Sequence, residues 1–218
     1  IQRSLLKDGS MERMILEGRI KGVTSNPSIF QKAIAKSKDY DLTLKPMAWS
    51  GLSAESIFWR LAVEDIQNAA DLFLPVYERT KKKDGYVSLE VNPLYANDTD
   101  ATIQEAKKLW NLVDRPNLMI KIPATVEGLP AITQCIADGI NINVTLIFSI
   151  ERYGEVIDAY LNGLEKRLNA GNDVTSVASV ASFFVSRLDT KIDGLLENLA
   201  QEGKLSQERL DELTGRAA

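Results

Sequence analysis

The sequence contains no histidine in its 218 residues. This absence excludes Ser-His-Asp triads, histidine metal sites and acid/base chemistry by imidazole. Any proton transfer therefore has to use carboxylates, lysine, tyrosine, hydroxyl groups or water. The chemistry open to this chain is narrowed before any motif is considered.

Cysteine, long apolar runs and excess positive charge are also scarce or missing. The single cysteine, Cys135, cannot form an internal disulfide and is expected in the core. No apolar segment approaches the ~20 residues of a membrane span, and the segment IQRSLLKDGS has no signal-peptide core. The net charge of −4 gives no electrostatic footprint for nucleic acid. We therefore expect a cytoplasmic protein with neither nucleic-acid nor membrane partners.

The chain does have the composition of a folded domain, with 44% hydrophobic and 26% charged residues. Helical patterns are predicted at 1–17, 27–34, 40–80 (a hairpin), 98–112, 127–137, 150–169, 182–199 and 206–218. Strands are predicted at 19–24, 86–91, 117–123, 140–147 and 174–180. Strands that alternate with helices indicate a parallel sheet covered by helices.

No strand is followed by a Gly-rich phosphate-binding fingerprint, which argues against a dinucleotide-binding, doubly wound sheet. The fold class predicted is α/β, a TIM (β/α)8 barrel that is incomplete in this chain. Such a barrel needs more strands than are found, so we expect one barrel domain over 1–218, truncated at both ends and with open strand edges.

The most informative residue is Lys121, in the stretch Asn117-Leu-Met-Ile-Lys-Ile-Pro-Ala-Thr125. The short apolar run, bounded by Pro116 and Pro123, predicts a buried strand. Burial disfavours a charged ammonium group, and the neutral amine is the form that a Schiff-base lysine needs. The alternative is an edge-strand lysine that blocks aggregation or extends to water.

Polar residues gather at the predicted strand ends, where a barrel carries its catalytic groups. They are Thr24, Ser25, Asn26, Ser88, Glu90, Asn92, Lys121, Asn143, Thr145, Ser176, Ser179 and Ser182. Each has a structural alternative, such as a helix cap for Asn26 or a turn residue for Asn143. Arg187 is predicted one turn inside a helix beginning at Ser182, where it could meet an anion or lie on the surface. Their joint placement favours a site.

Five successive motifs carry a family resemblance. They are Val23-Thr-Ser-Asn-Pro-Ser28, Val87-Ser-Leu-Glu90, Ile120-Lys-Ile-Pro-Ala-Thr125, Asn143-Val-Thr-Leu-Ile-Phe-Ser149 and Ser182-Phe-Phe-Val-Ser-Arg187. In this order they resemble the strand motifs of the transaldolases. The resemblance implies a transferase of the pentose phosphate pathway that moves a dihydroxyacetone unit between sugar phosphates. These are fructose 6-phosphate, sedoheptulose 7-phosphate, erythrose 4-phosphate and glyceraldehyde 3-phosphate.

The resemblance also implies residue roles. Lys121 would be the Schiff-base lysine, and Glu90 with Thr145 would hold the catalytic water. Substrate-binding roles fall to Asn26, Asn143, Ser182, Phe184 and Arg187, of which Ser182 and Arg187 would bind the phosphate and Phe184 would line the pocket. No metal or organic cofactor is expected.

Two departures from the family pattern keep alternatives open. The family's acid/base aspartate would fall before Ile1, and a second phosphate-binding arginine is absent. Related fructose-6-phosphate aldolases carry glutamine at the position of Glu90 and tyrosine at that of Phe184, so both residues here favour a transferase. The alternatives are such an aldolase, or a non-catalytic sugar-phosphate-binding barrel fragment. Oligomeric state stays open, with a homo-oligomer among the options.

Overall fold

The computed structural model describes all of residues 1–218 and contains one parallel sheet of five strands. The strands are β1 (Val23–Thr24), β2 (Val87–Glu90), β3 (Leu118–Pro123), β4 (Ile142–Ile147) and β5 (Ser179–Phe183). Each strand pairs in parallel with its neighbour in sequence, giving the order β1-β2-β3-β4-β5. A doubly wound sheet would reverse its strand order, whereas a barrel wall does not. The sheet is a curled part of a barrel, which confirms the predicted fold class.

Ten α-helices accompany the sheet. They are α1 (Arg3–Lys7), α2 (Ser10–Leu16), α3 (Pro27–Lys36), α4 (Asp41–Trp49), α5 (Ala54–Arg79), α6 (Thr99–Val113), α7 (Gly128–Ala137), α8 (Ile150–Asn169), α9 (Ser186–Gln201) and α10 (Gln207–Leu213). Single-turn 3-10 helices span Lys38–Tyr40 and Pro93–Tyr95. The predicted pattern of five strand-helix units is confirmed.

Helix caps explain where several of these helices begin. The side chain of Asn26 accepts a hydrogen bond from the Ile29 N–H at 2.8 Å, and Pro27 occupies the first position of α3. Ser53 caps α5 in the same manner, through the Ser56 N–H. The helix cap that the sequence offered as the structural alternative for Asn26 is therefore present.

The first predicted helix, 1–17, is wrong as one continuous element. Gly9 adopts φ 77° and separates α1 from α2. A left-handed residue inside the segment ends the helix, because only glycine adopts this conformation at little cost. The strand predicted at 19–24 is also shorter, since only Val23–Thr24 pairs with β2.

The last strand and the helix after it were predicted too early in the chain. Only the last two residues of the predicted strand 174–180 belong to β5, which spans Ser179–Phe183. Ser182 therefore lies on β5 and does not begin a helix. Arg187 is the second residue of α9, nearer to the helix N-terminus than predicted.

A buried ion pair fixes the N-terminal segment to α5. The Arg3 guanidinium contacts the Asp65 carboxylate at 2.7 Å, and the Tyr40 hydroxyl donates to the other Asp65 oxygen at 2.7 Å. Burial raises the pKa of Asp65, and the hydrogen bonds from Tyr40 and Arg3 oppose this effect. The polar groups are paired, as a dry environment requires.

The main core lies between the central strands β2 to β4 and helices α5 to α8. Cys135 is fully buried within it, as expected, and burial raises the pKa of its thiol to about 12. Gly163 allows α8 to approach α7 closely, because a Cβ there would lie 2.7 Å from the Ile136 side chain. No helix combines the length and apolar character that crossing a membrane requires. A cytoplasmic location stays a prediction.

Candidate active site

Strand register places the chemically important side chains in one row. Glu90 on β2 is the neighbour of Lys121 on β3, and Lys121 is the neighbour of Asn143 on β4. Residues that are paired across parallel strands point to the same face of the sheet, so these three side chains share a face. The parallel pairing thus assembles the site from distant parts of the sequence.

Lys121 is 7% exposed and lies on the central strand of the sheet. Its Nζ donates to Glu90 Oε2 at 3.0 Å and to the backbone oxygen of Ser25 at 3.2 Å. The alternative of an edge-strand lysine is therefore wrong. The carboxylate compensates the cost of burying an ammonium group, and it is also close enough to take a proton from that group directly.

A hydrogen-bonded chain of polar side chains lies beside this ion pair. Ser182 Oγ donates to Asn143 Oδ1 at 2.9 Å, and Asn143 Nδ2 donates to Ser88 Oγ at 3.1 Å. Ser25 Oγ donates to the backbone oxygen of Ser88 at 2.8 Å. These contacts fix the orientation of the Asn143 amide and connect β1, β2, β4 and β5.

A cavity of about 450 Å³ opens onto the ion pair. Its lining residues are Asn26, Pro27, Ser28, Ile29, Lys32, Glu90, Pro93, Lys121, Thr145, Leu146, Phe184 and Arg187. A volume of this size is within the usual range for small-molecule sites. A carboxylate, amide and hydroxyl groups, cations and one aromatic ring all border the same space.

An aromatic and cationic wall forms one side of this cavity. The Arg187 guanidinium lies over the Phe184 ring, 4.5 Å from its centroid. Phe184 in turn packs edge-to-face with Phe148, with 5.2 Å between the ring centroids. The cation–π contact holds the guanidinium beside the cavity, and no carboxylate forms an ion pair with it. Arg187 is therefore free to bind an anion.

A bulge in β4 shapes another part of the cavity wall. Val144 pairs with Ala181 and Ile147 pairs with Phe183, so β4 has one residue more than β5 over this interval. Leu146, within the bulge, adopts φ 60°. Both Thr145 and Leu146 line the cavity. Such bulges commonly redirect side chains next to functional sites.

The structure brings six of the eight sequence-predicted site residues to the cavity. They are Asn26, Glu90, Lys121, Thr145, Phe184 and Arg187. Asn143 and Ser182 do not line it and instead belong to the adjacent hydrogen-bonded chain. Of the other polar strand-end residues, Ser25 contacts Lys121 and Ser88 contacts Asn143, whereas Ser176 precedes β5 and lies outside the site.

Sequence reasoning missed three further features of the site. They are the Ser25 carbonyl that accepts from Lys121, the left-handed Leu146 and the cavity-lining Lys32. Ser25 itself is among the predicted strand-end residues, but none of these three features has a signature in the sequence. The structure contains no group of three or more Asp, Glu or Cys side chains arranged to hold a metal ion.

Comparison with known proteins gives one consistent result. The family model described as Transaldolase/Fructose-6-phosphate aldolase matches residues 1–212. The transaldolase of Thermobifida fusca is 54% identical over 93% of this chain and 55% of its own length. The transaldolase of Saccharopolyspora erythraea is 50% identical over 100% of this chain and 57% of its own length. The chain thus spans about half the length of the curated relatives it matches.

Proposed function

Since the chain belongs to the transaldolase/fructose-6-phosphate aldolase family, we propose that it acts in a transaldolase reaction. In this proposal a dihydroxyacetone unit is transferred between sugar phosphates through a Schiff base at Lys121. The observation that carries the proposal is the buried Lys121, paired with Glu90 at 3.0 Å and facing a cavity with Arg187 on its wall.

The first chemical step is the formation of an imine. The Lys121 ammonium transfers a proton to Glu90, and the neutral Nζ attacks the ketose carbonyl carbon. The C=O electron pair moves to the oxygen, which takes a second proton from the nitrogen to give a neutral carbinolamine. Glu90 then returns the proton to the departing hydroxyl group, which leaves as water. Glu90 is the only carboxylate that lines the cavity, which makes it the proposed acid and base for this step.

The second step breaks a carbon–carbon bond. Removal of the proton from the C4 hydroxyl lets the C3–C4 bond break, and its electron pair moves to the iminium nitrogen as an enamine. The released fragment is an aldose phosphate, and attack of the enamine on another aldose phosphate forms a new carbon–carbon bond and restores the iminium. Water then hydrolyses this iminium, which releases the new ketose phosphate and regenerates Lys121. We propose Glu90 as the base, acting through a water bound by the Thr145 hydroxyl group.

The remaining site residues would position the substrate. The Asn26 side-chain oxygen is occupied by the α3 cap, which leaves its N–H donors for substrate hydroxyl groups. Arg187, in the first turn of α9, would bind the phosphate. Asn143 and Ser182 would act from the adjoining hydrogen-bonded chain. Fructose 6-phosphate and sedoheptulose 7-phosphate are the proposed donors, with erythrose 4-phosphate and glyceraldehyde 3-phosphate as acceptors in the pentose phosphate pathway.

The proposal is tested by trapping the imine. The chain is incubated with fructose 6-phosphate and borohydride, and the reduced adduct is located by mass spectrometry of peptides. We expect the adduct on Lys121, none with Lys121→Met, and formation slowed by roughly a hundredfold with Glu90→Gln. Glu78→Gln, on the exposed surface of α5, is the matched control and should leave the rate unchanged.

The mass of the adduct separates the alternatives. A three-carbon adduct shows that the C3–C4 bond is broken, whereas a six-carbon adduct alone shows imine formation without cleavage. Release of free dihydroxyacetone without an acceptor would favour the aldolase alternative. A folded chain that gives no adduct would leave only the non-catalytic binding module.

A further inference from the structure

Three cationic side chains line the candidate cavity, and two have been given roles. Lys121 pairs with Glu90, and Arg187 lies over Phe184. The third is Lys32, in the second turn of α3. It is exposed and has no acidic partner, because none of the ion pairs in the structure includes it.

The helical spacing of α3 explains why Lys32 reaches the cavity. Ser28 and Ile29 lie four and three residues before it, so all three side chains share one face of the helix. Side chains on a helix point toward its N-terminus, which is the end that carries Asn26 and borders the cavity. The long lysine side chain thus borders this cavity from the wall formed by α3, and it also borders a neighbouring cavity that Lys36 lines.

The charges around the cavity favour an anion at this place. Its only carboxylate, Glu90, is already paired with Lys121. The other two cations, Lys32 and Arg187, come from different helices, α3 and α9, and neither has an acidic partner within the chain. Two unpaired cations on one cavity repel each other unless an anion lies between them.

We propose that Lys32 is the second cationic group that binds the phosphate end of the substrate, together with Arg187. This inference rests on the proposed function and names a residue that determines specificity for phosphorylated over unphosphorylated sugars. Arg187 supplies planar, directional donors, and Lys32 supplies a mobile point charge on a flexible stem.

The test combines two independent measurements, the binding of inorganic phosphate and the trapping of a ketose. Inorganic phosphate is titrated into the chain and followed by the amide resonances of the cavity residues. Borohydride trapping is then measured against the concentration of fructose 6-phosphate and, separately, of unphosphorylated fructose. The variants are Lys32→Gln, the conservative Lys32→Arg and the matched control Lys36→Gln. Lys36 lies one turn further along α3, is exposed, and does not line the cavity.

We expect Lys32→Gln to weaken phosphate binding on the order of tenfold, the usual effect of losing one charge-assisted hydrogen bond. The fructose 6-phosphate concentration for half-maximal trapping should rise in parallel, while the value for fructose stays unchanged. Lys32→Arg should restore binding, and Lys36→Gln should stay within about twofold of the original chain.

Several results would overturn the assignment of Lys32. One is that Lys32→Gln and Lys36→Gln weaken phosphate binding equally. Another is that Lys32→Gln raises the fructose concentration for half-maximal trapping as much as the fructose 6-phosphate concentration. A third is that the unsubstituted chain does not bind phosphate. A different result separates this inference from the proposed function. If phosphate binding depends on Lys32 but neither ketose forms an adduct, the role of Lys32 stands and the Schiff-base proposal fails.

Discussion

Leu146 shows how one backbone conformation shapes the cavity. Its φ of 60° lies in the left-handed region. This conformation costs a residue other than glycine roughly 1–2 kcal/mol. The other non-glycine residues with positive φ are Lys81, Lys82 and Asp114, which lie in a turn or at a helix end. Leu146 alone lies within a strand, in the bulge that carries Thr145 to the cavity wall. Strain of this kind gathers at functional sites.

Within a strand, an alanine variant is usually more stable than a glycine variant. We predict the opposite order of stability at Leu146. Leu146→Gly and Leu146→Ala both remove the side chain, but only glycine also removes the left-handed penalty. The glycine variant should therefore be more stable by roughly 1 kcal/mol in urea denaturation. In the control Ala181→Gly, on β5, glycine should instead lower the free energy of unfolding by about 0.5–1 kcal/mol. The same sign at both positions would exclude backbone strain at Leu146.

Individual site residues differ in how far the sequence could predict them. Lys121 was predictable because a single cation interrupts an apolar run bounded by prolines. Its contact with the Ser25 carbonyl was not, because backbone oxygens have no sequence signature. Lys32 was missed since an exposed lysine on a polar helix face resembles any other until the tertiary structure shows what that face borders.

Asn26, at the start of α3, both caps this helix and borders the cavity. The Asn26 oxygen caps the helix at 2.8 Å from the Ile29 nitrogen, while its amide group borders the cavity. Serine is nearly as good an N-cap as asparagine but lacks the amide donors. The two roles of Asn26 can therefore be separated by substitution.

We predict that Asn26→Ser keeps the stability within about 0.5 kcal/mol, whereas Asn26→Ala costs about 1 kcal/mol in urea denaturation. Both variants should require higher fructose 6-phosphate concentrations for borohydride trapping, because both lose the amide donors. If Asn26→Ser traps the ketose as well as the original chain does, Asn26 is a helix cap only.

The contact between α5 and the start of β2 is expected to be sensitive to alkali. Tyr77 and Tyr86 pack edge-to-face with 5.3 Å between ring centroids. Burial raises the pKa of Tyr86 from 10.0 to about 12, with a smaller contribution from Tyr77. Above pH 10 the unfolded chain therefore ionises before the folded chain does. This contribution to stability is complete below about pH 10 and is lost as the pH rises toward about 12.

We predict a smaller fall in stability for Tyr86→Phe than for the original chain between pH 9 and pH 11.5, measured by urea denaturation and circular dichroism. The variant loses the hydrogen bond from the Tyr86 hydroxyl to the Lys82 carbonyl, so its stability should be lower at pH 9. The difference between the two proteins should narrow at the higher pH. If the stability of Tyr86→Phe and of the original chain falls equally with pH, ionisation of Tyr86 does not cause the loss of stability.

The bounds of a buried strand were easier to predict from the sequence than those of an exposed strand. β3 is buried at every position, so its apolar run and its bounds were visible in the sequence. β5 has no fully buried residue and its segment Ser-Val-Ala-Ser-Phe is partly polar, so the more β-branched residues before it gave the stronger strand signal. Tertiary pairing with β4, which local sequence does not specify, decided where β5 lies.

At the scale of the whole molecule, packing weakens toward the C-terminal part of the sheet. Helices α9 and α10 contain no buried residue, whereas α5 and α7 contain many. β5 pairs only with β4, and Val180 and Ala181 on it are exposed. Its free edge carries unpaired backbone N–H and C=O groups, which can pair with another chain. Of the two outer strands of the sheet, β1 and β5, β5 is the longer.

We predict that this chain associates with itself through β5 as its concentration rises, and that Ala181→Lys weakens the association at least about tenfold. A lysine on an edge strand opposes strand addition, because a second copy would bring like charges together and desolvate them. Sedimentation velocity over a range of concentrations measures the effect. Ala170→Lys places the same charge on an exposed residue after α8 and should leave the association unchanged. Equal effects of the two lysines would indicate a general effect of charge, and an original chain that stays monomeric at every concentration would show that the β5 edge is protected without a partner.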